Sequence, residues 1–294
     1  MHQQEHTAGG ARPRPVAAAV LTAASAVAAI VLAAWGSGAF GGTTVQDAAG
    51  GYLSATATPV APAAAAFSIW SLIYVGLLAY AVWQLLPRAL ASGRQRALRP
   101  WAAASMLLNA AWLWAAQIGS PSVALPVTLV VMLALLAVLC RMLVLHLSTP
   151  AGSFLESTVS DGTFGLYLGW ICVATVANAA ALVAALLGIA PGAARPALPG
   201  GTSAAAVAIV VLAVAVAVGV ALALRGRISP LLSFVWGLAW IAVGRLTGPL
   251  GMPEVGVTAA VAAAVVLAVA IAARLRAGRR PGPTTARRSK EAPA

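Results

Sequence analysis

The sequence predicts an all-α fold, a polytopic membrane helix bundle of about eight transmembrane helices. Three observations carry that prediction. Apolar residues make up 61% of the chain and charged residues 8%, whereas about a quarter of a soluble domain is charged. Long apolar runs recur at lengths that cross about 30 Å of hydrocarbon as helices. Almost all of the positive charge lies between or after those runs, where it sets orientation.

Residues 1–15 are polar, contain Pro13 and Pro15, and read as a short disordered tail. His2 and His6 stand four apart, but the glycines and prolines that follow argue against a metal site there. The spans are expected at 16–35, 63–86, 101–118, 123–147, 163–187, 203–224, 230–246 and 255–274. These runs are about twice as long as a barrel strand and lack period-two alternation. The first run is long and ends in VLAAWGSGAF, which favours an uncleaved span over a signal peptide.

Charge gives an independent check. With the N-terminus inside, the inner segments collect 16 of the 18 Lys and Arg, and only Arg195 and Arg245 fall outside. This predicts a cytoplasmic-membrane protein with both termini cytoplasmic. The basic tail from Arg274 to Lys290 then fixes topology and touches anionic lipid, and no nucleic-acid partner is expected. Cys140 and Cys172 lie inside spans without a CxxC or a Cys/His pairing, and read as small apolar residues.

Three connections are distinctive. Residues 36–62 form a long outer segment without Lys or Arg, closing in TPVAP, the kind of loop that often acts as a lid. The segment 148–162 carries Glu156 and Asp161. Residues 188–202, rich in Pro and Gly, read as a linker between five helices and three. The expected organisation is a cytoplasmic tail (1–15), a five-helix domain (16–188), a linker (189–202), a three-helix extension (203–274) and a basic tail (275–294).

Polar and aromatic side chains cluster on single helix faces. In FGLYLGWICVATVAN, residues 164–178, Tyr167, Trp170, Ala174 and Asn178 fall within an arc of roughly 80° at about 100° per residue. Phe67, Trp70 and Tyr74 share a face of the second span, and Trp101, Ser105, Asn109 and Trp112 a face of the third. An Asn in hydrocarbon is costly unless hydrogen-bonded, so Asn109 and Asn178 are expected to face the interior. Each could be interhelical glue worth about 1 kcal/mol; the recurrence on three spans points instead to a shared pocket. Trp35, Trp83 and Trp101 near span ends suit the aromatic belt. Trp70, Trp112 and Trp170 lie deeper and offer flat walls for a large planar ligand.

These residues resemble a known family. Tyr167-Leu-Gly-Trp170 with Asn178 is similar to the last-helix signature of the TspO/MBR family, the tryptophan-rich sensory proteins. Asn109-Ala-Ala-Trp112 resembles its Asn-x-x-Trp, and Trp70-Ser-Leu-Ile-Tyr74 its Trp-x-x-Leu-Tyr, in the same order. The resemblance covers residues 16–188 and implies a five-helix unit around a hydrophobic cavity. The implied ligand set is Phe67, Trp70, Tyr74, Asn109, Trp112, Tyr167, Trp170, Ala174 and Asn178, capped by Tyr52, Pro59 and Pro62 of the first loop. The implied ligands are tetrapyrroles, sterols or other lipophilic molecules; porphyrin or haem would be a ligand, and no cofactor is required. The sequence departs from the pattern at Tyr52, which stands alone, at Thr58-Pro59 in place of Lys-Pro, at Leu166 in place of a proline, and in the spacing of Phe67 from Trp70. The three further spans suggest an elongated, actinobacterial-type branch.

The functional expectation is an integral membrane protein that binds, transports or senses a hydrophobic ligand, in the bilayer and compatible with a homodimer. The alternative is a secondary transporter for a small lipophilic solute using all eight helices. No Asp or Glu falls inside an expected span, which argues against proton coupling, and Arg141, His146 and Arg245 are expected to snorkel from span ends. No paired carboxylates, HExxH, Ser/His/Asp order or P-loop supports an enzyme, so a catalytic role is left open and disfavoured. If the first five helices are the functional unit, truncation after Leu187 should leave ligand binding largely intact.

Overall fold

A computed structural model describes residues 13–36, 38, 41, 43–193, 211, 214, 215, 218, 219 and 227–278. Nearly all of the expected span at 203–224, His2 and His6, part of the linker and most of the basic tail lie outside the described residues. Among the described residues there are helices and no strands.

The principal helices are α1 (Pro13–Gly36), α2 (Ile69–Trp83, led in by a 3-10 turn at Ala64–Ser68), α3 (Pro87–Ala91), α4 (Gly93–Ala116), α5 (Pro121–Ser148), α6 (Phe154–Glu156), α7 (Thr163–Leu186), α8 (Ser229–Leu246) and α9 (Pro253–Gly278). Six described segments, built on α1, α2, α5, α7, α8 and α9, are long and apolar enough to cross a membrane. The third expected span is the later part of α4, whose first turns carry Arg94, Arg96 and Arg99. Large apolar side chains point outward, among them Leu21 at 67%, Val75 at 63% and Val130 at 66% exposure. In water such a surface would be untenable, and facing lipid it is the expected one. The chain is a multi-pass membrane helix bundle.

Local chemistry explains the helix starts. Ser92 precedes α4 and its hydroxyl accepts from the Gln95 amide at 3.3 Å, so the helix begins eight residues before the apolar run. Pro121 opens α5, where its missing N–H costs nothing. Ser153 accepts from the Glu156 amide at 3.1 Å while Glu156 accepts from the Gly152 amide at 2.9 Å, close to a reciprocal capping box. The segment 148–162 is therefore largely helical: α6 passes through a π-helical turn, Ser157–Gly162, directly into α7.

Five helices close a ring in the order α1, α2, α7, α5, α4, with α8 packed on the outside of α7 and α9 on α8. One core fills the ring around Ile73, Leu77, Met106, Leu135 and Trp170, and a second lies around Leu231, Leu238, Ile241 and Val255. The contact between α7 and α8 is backbone-close. A Cβ on Gly169 would overlap the Pro230 carbonyl oxygen and the Ser233 hydroxyl, so the missing side chain sets the separation of the two helices.

One end of the bundle is tied by buried charge. The Arg94 guanidinium donates to Glu156 at 2.8 Å and to Asp161 at 2.5 Å, and its Nε to the Thr149 carbonyl at 2.7 Å. Gln95 donates to Glu156 at 2.7 Å and Arg227 to Asp161 at 2.6 Å. His146, expected to snorkel, is 3% exposed and lies 3.1 Å from the Ser160 hydroxyl. At the same end, Arg99 is buried against Gln84 and the Ala89 carbonyl, and Gln84 donates to the Ala19 carbonyl, linking α1, α2, α3 and α4. Arg141 remains exposed.

Candidate ligand cavity

At the opposite end, the three sequence-marked faces meet. Trp70 stacks on Tyr74 with ring centroids 5.3 Å apart, and meets Tyr167 edge-on at 5.7 Å; Phe67 meets Trp170 edge-on at 5.6 Å. Such pairs hold the aromatic walls at fixed angles. Asn109 is 4% and Asn178 2% exposed, both interior, as hydrocarbon burial of an amide demands. Asn109 donates to the Tyr74 hydroxyl at 3.3 Å, and Asn178 to the Thr128 hydroxyl at 3.4 Å.

Two chambers share the wall formed by Phe67, Trp70, Asn109 and Trp112. The inner one, about 60 Å³, lies beneath the first loop and reaches Trp170, Ala174 and Asn178 of α7. The outer one, about 430 Å³, lies against Ile30 and Ala33 of α1, Thr44 and Gln46 of the loop, and Tyr74. Of the expected cap residues, Tyr52 and Pro62 line the inner chamber, and Pro59 lines neither. Tyr167 is fully buried but does not reach either chamber; it packs on Trp70 and donates to the Ser105 carbonyl at 3.1 Å, so it stands behind the wall. Trp101, which shared the face of Asn109 in sequence, is exposed at its helix turn.

The loop over the inner chamber is ordered by local bonds. The Gln46 side chain accepts from the Ala55 amide at 2.8 Å, and Gln117 donates to the carbonyls of Gly36 at 2.9 Å and Thr43 at 3.1 Å. The chain turns at Ala49, Gly50 and Gly51, all at positive φ, where two glycines spare most of the strain. Positive φ at Ala49 is uncommon for a residue with a Cβ, and marks a turn held by its surroundings.

Three buried polar atoms at the inner chamber have no hydrogen-bond partner: the Thr58 hydroxyl, the Trp112 Nε1–H and the Asn178 Oδ1. Buried polar groups are ordinarily satisfied, and each unsatisfied one needs an explanation. Together they provide an N–H donor, a carbonyl acceptor and a hydroxyl that can play either part. Sequence reasoning passed over Thr58 as a ligand-facing group, and also over Ile171 and Ala177. The latter two were legible, since at about 100° per residue they flank the marked arc of α7 by about 20° on either side. Thr58 was not, because only the loop's path turns it inward.

The family model described as TSPO-like protein matches residues 18–273. The match continues past residue 188, across the segment that the motifs alone left without a counterpart. No curated protein and no solved structure matches the chain significantly. With a match over most of its length, on a multi-pass bundle that brings the three aromatic faces together, the chain belongs to the TSPO-like protein family.

Proposed function

We propose that this membrane protein binds a lipophilic ligand, a tetrapyrrole or a sterol-like lipid, in the paired chambers. The observation that carries the reading is an aromatic-walled cavity whose lining residues Thr58, Trp112 and Asn178 each keep a buried polar atom without a hydrogen-bond partner. An empty apolar void would not need them; a ligand's polar end would satisfy them. The outer chamber falls within the range of about 300–1,000 Å³ usual for small-molecule sites. The inner chamber is too small for a ring system, so the ligand body occupies the outer space and its carboxyl or hydroxyl end reaches Trp112, Thr58 and Asn178. The same reading places the protein in the cytoplasmic membrane with both termini inside, and makes it a carrier or sensor for this ligand. Residues 16–188 supply the cavity walls, and α8 lies against them from outside.

Titrating the detergent-solubilised protein with protoporphyrin IX or a fluorescent sterol should quench or shift its tryptophan emission. In the Trp170→Phe/Asn178→Ala double variant the affinity should fall about fivefold to a hundredfold, the worth of roughly one lost hydrogen bond plus ring contact. Unchanged affinity in a folded double variant would remove the inner chamber from the site.

A further inference from the structure

We infer that Arg245 of α8 is the latch that holds the first loop closed over the cavity, making α8 a control element for ligand exchange. This inference rests on the ligand-binding reading for its consequence, and on the following geometry for its substance. Arg245 sits in the last turn of α8, 1% exposed, at the end of the bundle where sequence reasoning expected it to snorkel. It does not reach outward. Its guanidinium donates to the Ala55 carbonyl at 2.9 Å and the Ala61 carbonyl at 2.6 Å, two points on the loop that roofs the inner chamber.

Among the described residues no carboxylate pairs with Arg245, and its Nε has no acceptor. A buried guanidinium is kept only where its surroundings replace water. Here the replacement is the loop's own backbone, so the cation and the closed loop depend on one another. Ala61 itself lines the inner chamber, three residues after Thr58, whose hydroxyl is unpaired, and next to Pro62. Holding its carbonyl therefore fixes the roof.

Neighbouring bonds make α8 a continuous support for this strap. The Ala63 amide donates to the Trp240 carbonyl at 3.2 Å, and Trp236 Nε1 donates to the Ala66 carbonyl at 2.9 Å. Gly244 lies so close to the loop that a Cβ there would stand 3.3 Å from the Cβ of Ala63. The loop cannot lift without parting from α8, and the two charge-assisted bonds of Arg245 are the strongest of those contacts. α8 lies outside the five-helix ring, so it can act on the roof without contributing to the cavity walls.

The test has one arm that needs no ligand. Hydrogen exchange of the purified full chain should show amides of residues 52–63 exchanging roughly tenfold faster or more in Arg245→Gln. Amides of α8 and α9 should change little, and Arg245→Lys should recover part of the protection. Equal acceleration throughout α8 and α9, or no change in the loop, would overturn the latch. The second arm covers a variant that fails to fold. With Cys140 and Cys172 replaced by Ala, an Ala63→Cys/Gly244→Cys pair has a separation that a disulfide can close with small adjustment. Oxidation should slow protoporphyrin IX association at least tenfold, and reduction should restore it. Equal rates in both states would overturn the control of exchange. If no variant, nor the native chain, responds to protoporphyrin IX or a fluorescent sterol, the ligand-binding reading fails by itself, while the exchange data still decide the latch.

Discussion

Arg94→Ala is expected to cost about 3–5 kcal/mol of stability, the loss seen when one partner of a buried ion pair is removed. The side chain is 5% exposed and serves Glu156, Asp161 and the Thr149 carbonyl together. Its removal would leave Glu156 with only Gln95 and the Gly152 amide, and Asp161 with Arg227. The buried carboxylates, more than the lost attraction, drive the cost. Because they sit where α6, the π-helical turn and α7 join, the damage should begin at that end of the bundle. Denaturant unfolding of the detergent-solubilised protein measures the effect. Arg94→Ala/Glu156→Gln should recover part of it, since the second change removes one stranded charge; a double variant worse than the sum of the singles would contradict this account.

A Cβ at the α7–α8 contact should have the next largest effect. Gly169→Ala is expected to lose about 1–3 kcal/mol or more, because the new methyl meets backbone, the Pro230 carbonyl, which cannot rotate aside. Gly119→Ala places its Cβ in open space and should stay within about 0.5 kcal/mol of the native protein. Parallel unfolding curves would separate the two. Equal stability of both variants would mean that α8 does not pack on α7 at this distance.

The contact bears on function through the loop. If α8 moves away from α7, Arg245 moves with it, so Gly169→Ala should also accelerate exchange of the loop amides. Truncation after Leu187, which the motifs alone suggest is harmless, would remove Arg245, Trp236 and Trp240 from the loop. The cavity walls would remain, while the strap over them would be released.

Much of the fold was legible before any coordinates. Lengths of apolar runs located α1, α5, α7, α8 and α9 to within a few residues, because in lipid every backbone group must be satisfied within its own helix. The faces of Trp70, Asn109, Trp170 and Asn178 were legible for the same reason: a polar group is costly toward hydrocarbon, so its direction follows from its position in the helix. Less legible were the early start of α4, which depends on the Ser92 cap, and the helical path of 148–162, whose polar composition resembles a loop until Arg94 and Arg227 neutralise it.

The sequence by itself determined that this chain crosses a membrane several times, which family it resembles, and which helix faces look inward. Those properties follow from local composition and period. Only the tertiary structure decided that Tyr167 stands behind the cavity rather than in it, that Thr58 turns into it, and that Arg245 holds the loop instead of reaching for water. Each of these depends on contacts between residues far apart in the chain, across as many as 190 positions for Arg245 and Ala55. A helical period can orient a side chain, but it cannot say which distant backbone will meet it.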